Sequence, residues 1–175
     1  RSVFFDNMKI PSTNILGNTQ KGFNQFLETL TGGRITIAAL ALGISQGAYN
    51  LALNYSQERE AFGKKINKFQ GVSFKLADMA TQIEATRHMV YNTAWLKDNN
   101  NSIIKEAAMA KLFSSEVAMK ITTEAIQIHG GYGYIREYNV ERFFRDAKIL
   151  EIGEGTSEVQ RIVISREILK SFNNQ

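Results

Sequence analysis

The 175-residue sequence has no cysteine, one proline and two histidines. Without cysteine the chain can form no disulfide framework, no thiolate metal site and no cysteine nucleophile. His88 and His129 do not have the spacing of paired metal ligands, so we expect no bound metal. The single proline is Pro11, and therefore no proline breaks a helix beyond that position. This scarcity of proline favours a mainly α-helical chain.

Clustered charge and long apolar runs are also missing. The net charge is +4, but the lysines and arginines are scattered along the chain, which argues against a nucleic-acid partner. The longest largely apolar stretch, residues 35–44, is shorter than the roughly 20 residues that cross a bilayer, and no targeting signal is recognisable. We therefore expect no membrane association. Because the sequence begins at Arg1 rather than at methionine, we expect a piece of a longer protein.

Residues 1–30 differ in pattern from the rest of the chain. Residues 3–5 (Val-Phe-Phe) are typical of a strand, and turn signals follow at residues 6–7 and 11–12. A piece of this size cannot bury a core of its own. We interpret residues 1–30 as the end of a preceding β domain with a linker, and residues 31–175 as a helical domain.

Apolar residues in the remaining chain recur with the 3.6-residue period of helices. The predicted helices cover about residues 23–60, 70–98, 103–129, 140–147 and 157–172. The sequence Ser157-Glu158-Val159-Gln160 has the pattern of a capping box at the start of the last helix. Long helices joined by short loops predict an all-α fold, an antiparallel four-helix bundle with short extra helices, preceded by the remnant of a β domain.

Three segments are unusual for a helical bundle without a ligand. In residues 59–65, cations surround Phe62, and Arg59 could hold a phosphate while the ring stacks on a purine. Cations placed favourably at a helix C-terminus would show the same pattern. In residues 127–134, Gly130 and Gly131 follow a helix and would let a ligand approach the backbone, although such glycines also end ordinary helices.

The third segment places Glu154 between two glycines at the start of a helix. Small neighbours leave its carboxylate accessible, and the helix N-terminus offers free N–H donors and the positive end of a dipole. This arrangement suits a base that works beside anionic intermediates. An acidic loop residue at a helix start is also a common preference without any catalytic meaning.

In this order the three segments resemble one family. Arg-Glu-Ala-Phe-Gly-Lys (59–64), Gln-Ile-His-Gly-Gly-Tyr-Gly-Tyr (127–134) and Glu-Gly-Thr-Ser-Glu-Val-Gln-Arg (154–161) are similar to the acyl-CoA dehydrogenases, especially short-chain, butyryl-type members. The resemblance covers the whole chain. It implies the C-terminal part of an FAD-dependent enzyme of fatty acid β-oxidation that desaturates short-chain acyl-CoA thioesters between the α and β carbons. It also implies electron-transferring flavoprotein as acceptor, a homodimer or homotetramer, and a cytoplasmic location in bacteria or the mitochondrial matrix in eukaryotes.

The resemblance also implies a role for individual residues. Glu154 would be the base that removes the α-proton, because the family's alternative base position on the first long helix is occupied here by Gly33. Arg59 would contact the diphosphate of FAD across a subunit interface. The implied FAD contacts are Arg59, Phe62, Gln70, Gln127, Ile128, His129, Gly130, Gly131, Thr156, Ser157 and Glu158. The implied substrate contacts are Thr31, Gly32, Gly33, Arg34 and Gly155, with Thr31 in place of the aspartate common in short-chain members.

Two other interpretations remain open at this point. An acyl-CoA oxidase would share the base but let oxygen reach the reduced flavin. A helical oligomerisation module without catalysis would use Glu154 only as a loop acid. We expect the isolated chain to fold and associate, but not to retain FAD or oxidise acyl-CoA.

Overall fold

The computed structural model describes residues 2–173, so residue 1 and residues 174–175 of the predicted domain ranges lie outside the described part. The described residues form five α-helices: α1 (Gly22–Glu58), α2 (Gln70–Asp98), α3 (Ile104–His129), α4 (Val140–Ile152) and α5 (Ser157–Asn173). A short antiparallel hairpin of β1 (Glu60–Ala61) and β2 (Lys64–Lys65) connects α1 to α2. The predicted all-α helical bundle is confirmed.

Helix α3 lies at the centre, where it contacts each of the other four helices, and α1 also packs on α2 and α4. The contact between α1 and α3 is built from alanines that are fully buried, which lets the two backbones approach closely. Larger side chains fill the core around them, mainly Leu42, Met79, Ile83, Ile121 and Val140. Complete burial of a side chain such as Ile121 contributes about 1.5–3 kcal/mol, so this core holds the long helices in one arrangement.

The N-terminal segment forms no strand within residues 2–21. Residues 3–5 are exposed, and the only regular element before α1 is a turn of 3-10 helix, Ser12–Asn14. A strand needs a hydrogen-bonded neighbour, and no other strand lies beside this segment in the described chain. The predicted strand therefore does not form within the described chain alone, and its assignment to a preceding β domain stays a prediction.

Three predicted helix ends also differ from the structure. Helix α1 ends at Glu58 rather than at Glu60, because the next residues pair in the hairpin. Helix α4 continues to Ile152, since Leu150 is buried in the core and no helix breaker precedes Gly153. The predicted capping box is absent: Thr156 takes the capping position, and its Oγ1 accepts a hydrogen bond of 3.3 Å from the Val159 N–H.

Helix α1 is less enclosed than its composition suggests. Leu40 is 51% exposed, and Thr36, Ala39 and Gly43 also face solvent. By length and hydropathy alone, α1 is apolar enough to cross a membrane. The core helix of a soluble protein passes the same test, and α1 packs on three neighbouring helices along its other faces. The exposed strip leaves an apolar groove between α1 and α4 of about 430 Å³, lined by Leu40, Phe143 and Ile149 among others.

Candidate active site

Glu154 lies in the short loop between α4 and α5 with its side chain exposed. Its backbone is left-handed, with φ of +55°, and Gly155 follows with φ of +92°. A residue with a side chain adopts such a conformation at a cost on the order of 1–3 kcal/mol unless its surroundings hold it there. Such strain is found preferentially at functional sites.

Two buried side chains hold this loop. The Lys111 Nζ of α3 donates a hydrogen bond of 2.7 Å to the Gly155 carbonyl oxygen. The Gln160 Nε2 of α5 donates to the same oxygen at 2.9 Å and to the Glu154 carbonyl oxygen at 3.2 Å. Both side chains are fully buried. The two carbonyls that follow the strained backbone are therefore fixed to α3 and α5.

The Glu154 carboxylate lies directly against Gly33 of α1. A Cβ atom added at Gly33 would stand 2.7 Å from Glu154 Oε2 and 3.3 Å from its Cδ. The two positions at which the family resemblance would place a base are thus adjacent in space, and the missing side chain at Gly33 gives the carboxylate its room.

Positive charges surround this carboxylate. Burial lowers the pKa of Arg34, the charge of Arg166 lowers it further, and the Glu154 carboxylate opposes both effects. Burial likewise lowers the pKa of Lys111, an effect that Glu151 opposes most strongly, with Glu154 and Glu158 also opposing it. The Arg34 Nε is buried without a hydrogen-bond partner among the described residues. The site therefore combines one exposed carboxylate with buried cations that favour negative charge.

The predicted substrate contacts lie in and beside one cavity of about 370 Å³. Thr31, Gly32 and Arg34 line it together with Lys97 and Arg166. Gly33 and Gly155 do not line this cavity, but both adjoin the Glu154 carboxylate or its backbone. The Thr31 hydroxyl donates a hydrogen bond of 2.9 Å to the Leu27 carbonyl oxygen of its own helix, which leaves only its acceptor capacity for a ligand.

The start of α5 forms a second polar recess, of about 210 Å³, beside the Glu154 loop. Thr156, Ser157 and Glu158 line it, together with Lys148 and Arg161. The Ser157 Oγ is buried without a hydrogen-bond partner among the described residues. A bond from its own backbone N–H and a second from Thr156 hold the pKa of Glu158 below its ordinary value. A helix N-terminus with free donors is a favourable place for an anionic group.

The remaining predicted cofactor residues lie at the other end of α1. Arg59 shares a cavity of about 450 Å³ with Ile128, His129, Gly130 and Gly131. Its guanidinium lies over the Tyr132 ring, 5.7 Å from the centroid. A Cβ atom added at Gly130 or Gly131 would meet nothing within 4 Å, so a ligand can approach the backbone there.

His129 faces inward at this end. Its ring stacks on Tyr55 with centroids 4.3 Å apart, and its Nδ1 lies 2.8 Å from the Ala125 carbonyl oxygen. The side chain is only 5% exposed, and burial lowers its pKa while the bond to Ala125 opposes that shift. The His129 ring therefore forms part of the buried wall of the Arg59 cavity.

Three predicted cofactor residues do not line the Arg59 cavity. Phe62 forms the turn of the hairpin and is 96% exposed, with its ring edge-to-face on Phe69 at 6.3 Å. Gln70 begins α2 and Gln127 lies in the last turn of α3, and both are exposed. All three side chains remain accessible to a second molecule.

The two ends of the site are far apart within one chain. Gly33 and Arg59 are separated by about 26 residues of α1, which at about 1.5 Å per residue is roughly 39 Å. A single dinucleotide cannot lie against Glu154 and Arg59 of the same chain over this distance. The predicted contacts of each chain therefore fall into two separate groups, one around Glu154 and one around Arg59.

Sequence reasoning missed the residues that support the Glu154 loop, Lys111 and Gln160, and two cations of the neighbouring cavity, Lys97 and Arg166. Lys111 had a recognisable signal, because it follows Ala107 by one helical turn on the buried face of α3. A lysine on an otherwise apolar face needs a specific partner. Gln160 had no such signal, because its partners become neighbours only when the loop folds back on α5.

Comparison with known proteins identifies the family of this chain. The profile of the family "Acyl-CoA dehydrogenase, C-terminal domain" matches residues 20–169. A Bacillus subtilis protein named as a probable acyl-CoA dehydrogenase is 56% identical over 168 residues, which are 96% of this chain and 44% of that protein. The CarC subunit of the caffeyl-CoA reductase–Etf complex of Acetobacterium woodii is 48% identical over 96% of this chain and 44% of its own length.

A solved structure has the same fold. Butyryl-CoA dehydrogenase of Megasphaera elsdenii superimposes with a TM-score of 0.93 at 52% identity, covering 94% of this chain and 43% of that one. The chain thus spans less than half the length of these relatives.

Proposed function

The chain belongs to the acyl-CoA dehydrogenase family, as its C-terminal domain, and from this premise we propose that it carries the catalytic base and two FAD half-sites of an acyl-CoA dehydrogenase. The observation that supports this most directly is the Glu154 loop. An exposed carboxylate in a strained backbone, fixed through two carbonyls and facing Gly33, is arranged for chemistry on a bound molecule.

The residues at both ends fit FAD. The recess at the start of α5 offers the Ser157 Oγ, which has no hydrogen-bond partner in the described part of the chain, and the donors of a helix N-terminus. The cavity at the far end offers the Arg59 guanidinium for a phosphate and the open backbone of Gly130 and Gly131. When bound, the flavin would supply the redox chemistry by accepting a hydride from the β carbon of the substrate.

In the proposed reaction Glu154 removes the α-proton of an acyl-CoA thioester. The proton goes to an oxygen of the Glu154 carboxylate, which occupies the room that the missing side chain at Gly33 leaves. Arg34 and Lys111 place positive charge near Glu154, and such charge would stabilise the negative charge that develops on a substrate held there as the α-proton leaves. Substrate binding would also expel water from around Glu154 and make the carboxylate a stronger base.

The names of the relatives support the finer parts of the proposal. Similarity to a protein named butyryl-CoA dehydrogenase supports a short-chain acyl-CoA as the substrate of the enzyme that contains this chain. Similarity to a subunit of the caffeyl-CoA reductase–Etf complex supports electron-transferring flavoprotein as the electron acceptor. A homodimer or homotetramer follows from the two half-sites, because each FAD would take Glu154 and α5 from one chain and Arg59 from its neighbour. The compartment, bacterial cytoplasm or mitochondrial matrix, stays a prediction.

The test is Glu154→Gln in the full-length enzyme that contains this domain. The amide keeps the shape of the side chain but cannot accept the proton, so anaerobic bleaching of the flavin by butyryl-CoA should slow by about a thousandfold or more, the upper part of the general-base range. Acyl-CoA should still perturb the flavin spectrum, because binding is retained.

Glu84→Gln serves as the matched control, since Glu84 lies exposed on α2 and pairs only with Arg87 and His88 among the described residues. It should bleach at the rate of the unmodified enzyme. Near-normal bleaching by Glu154→Gln would remove Glu154 from the mechanism. Hydrogen peroxide as the main product in air would indicate an oxidase.

A further inference from the structure

We propose that Lys111 is a positioning residue for Glu154: by anchoring the Gly155 carbonyl, it fixes the direction of the carboxylate that takes the α-proton. The proposal rests on the function proposed above. It concerns a residue of α3 that lies 43 positions before Glu154 in sequence and is not one of the residues through which the family was recognised.

The burial of Lys111 is unusual for a lysine. Its side chain is fully buried, and its Nζ donates to Gly155 at 2.7 Å. Among the described residues it forms no ion pair within contact distance, in contrast to Lys75, which pairs with Glu124. A buried ammonium group with only a carbonyl partner is costly, whereas a methionine of similar size would fill the same space without that cost. The presence of a lysine at this position is therefore better explained by its hydrogen bond to the Gly155 carbonyl oxygen than by a contribution to folding stability.

The carbonyl that Lys111 holds belongs to the residue immediately after Glu154. Lys111 and Gln160 together occupy both acceptor positions of the Gly155 oxygen, one donor coming from α3 and the other from α5. Removal of Lys111 leaves a single donor, and the peptide plane after Gly155 can then rotate. Because φ is positive at both Glu154 and Gly155, this rotation would allow Glu154 to relax toward an ordinary backbone conformation.

Such a relaxation would turn the carboxylate away from its present place against Gly33. A misplacement of about 1 Å can cost about a hundredfold in rate without preventing binding. Lys111 also places its charge near Glu154 and Glu158, so its loss removes a favourable interaction with both carboxylates. Loss of this charge alone would make Glu154 a stronger base, so the expected fall in proton removal comes from the misplaced carboxylate, while acyl-CoA binding stays largely intact.

The experiment compares Lys111→Met, Gln160→Met and the unmodified full-length holoenzyme by stopped-flow flavin reduction with butyryl-CoA. For Lys111→Met we expect a limiting rate about 10- to 100-fold lower, with flavin content and acyl-CoA dissociation constant little changed. With α-deuterated substrate the kinetic isotope effect should rise, because proton removal becomes more fully rate-limiting. Gln160→Met should show the same signature, and the double variant should lose less than the product of the two single losses.

Ile121→Val is the control for a purely structural effect, since Ile121 is fully buried on the same helix away from the loop. It lowers stability but should leave the rate and the isotope effect unchanged. If Lys111→Met loses rate only in proportion to lost flavin, with an unchanged isotope effect, Lys111 is structural and the proposal is wrong. A wild-type rate in Lys111→Met also overturns it.

The same assay separates this proposal from the proposed function. If Glu154→Gln is inactive while Lys111→Met and Gln160→Met both react normally, Glu154 is the base but Lys111 does not position it. If Glu154→Gln itself reacts normally, the proposed function fails first.

Discussion

Gly33 gives the Glu154 carboxylate its room, and one methyl group at this position would take that room away. Gly33→Ala would place a carbon 2.7 Å from Glu154 Oε2, the far end of a flexible side chain that can move aside. We therefore expect little change in melting temperature but a limiting rate of flavin reduction about 10- to 100-fold lower in the full-length enzyme. Stopped-flow reduction and thermal unfolding measure the two quantities.

Gly43→Ala is the matched control on the same helix, because an added Cβ atom there meets nothing within 4 Å. It should keep the full rate and gain roughly 0.5–1 kcal/mol of stability from better helix propensity. Equal rates for the two alanine variants would show that the carboxylate does not work from its place against Gly33.

His129 should make stability depend on pH. Burial holds its pKa below the ordinary value of 6.5, so the folded chain binds this proton less readily than the unfolded chain. The stability that neutral His129 contributes is fully present at pH values above its pKa in the unfolded chain. It is lost as the pH falls through the pKa of His129 in the folded chain. Between about pH 7 and pH 5, the melting temperature should fall more steeply for the unmodified chain than for His129→Gln.

The exposed histidine supplies the control for this measurement. His88→Gln should retain the steep pH dependence, since His88 is 80% exposed and pairs only with Glu84 among the described residues. Parallel pH profiles of the unmodified chain and His129→Gln would show that burial of His129 does not contribute.

At the residue scale, the sequence predicted Glu154 and missed its supports. The flanking glycines and the following helix start marked Glu154 within six consecutive residues. Lys111 and Gln160 act on the loop through hydrogen bonds between α3, α5 and the loop, and the partners of such bonds cannot be read from one segment. The same holds for the inward orientation of the His129 ring, which depends on Tyr55 of α1.

Among the elements, the hairpin after α1 determines where Arg59 lies. Phe62 and Gly63 both have positive φ, 52° and 79°, which is the backbone of a tight two-residue turn. The chain leaves α1 at Arg59, whose φ and ψ are already extended, and the guanidinium can then reach the Tyr132 ring. Sequence reasoning extended the helix by two residues because a strand pair of this length has no periodic signal.

Arg59→Ala in the full-length enzyme should weaken FAD retention while the bundle remains folded. A charge-assisted contact to phosphate contributes about 1.5–3 kcal/mol, which corresponds to a dissociation constant about 10- to 150-fold higher. Flavin content after dialysis measures the loss, and Lys68→Ala, which removes an exposed cation beyond the hairpin, should retain its flavin. Unchanged flavin content of Arg59→Ala after dialysis would show that Arg59 is only a cation at a helix end and does not bind FAD.

For the molecule as a whole, the separation of the half-sites predicts association. The isolated chain exposes the groove lined by Leu40, Phe143 and Ile149, as well as the two proposed half-sites for FAD. We expect a dimer, or a tetramer of two dimers, that does not retain FAD, because the parts of the enzyme outside this chain would complete the contacts to the flavin. Light scattering and a visible spectrum test the two statements. A monomer would contradict the first, and a yellow preparation with stoichiometric flavin the second.

The general architecture was predictable from the sequence, because helical periodicity and short connections are local properties. What the sequence could not predict is which faces stay uncovered. The stretch from 35 to 44 is apolar almost all round, yet Leu40 faces solvent, since the bundle supplies neighbours on only some sides of α1. The spacing of apolar residues shows how apolar a helix is, but the packing of the neighbouring helices determines which of its residues are buried.

The docking of α5 has a consequence for the dynamics of the site. This last helix packs chiefly on α3, and it carries Gln160, which holds both carbonyls of the Glu154 loop. A helix that packs chiefly on one neighbour opens locally more often than a helix that is enclosed on several sides. Each such opening would release the loop, so under the proposed function the local unfolding equilibrium of α5 would set the fraction of molecules with a competent base. A ligand that contacts the start of α5 would bind only the closed population and would thereby suppress the hydrogen exchange of this helix.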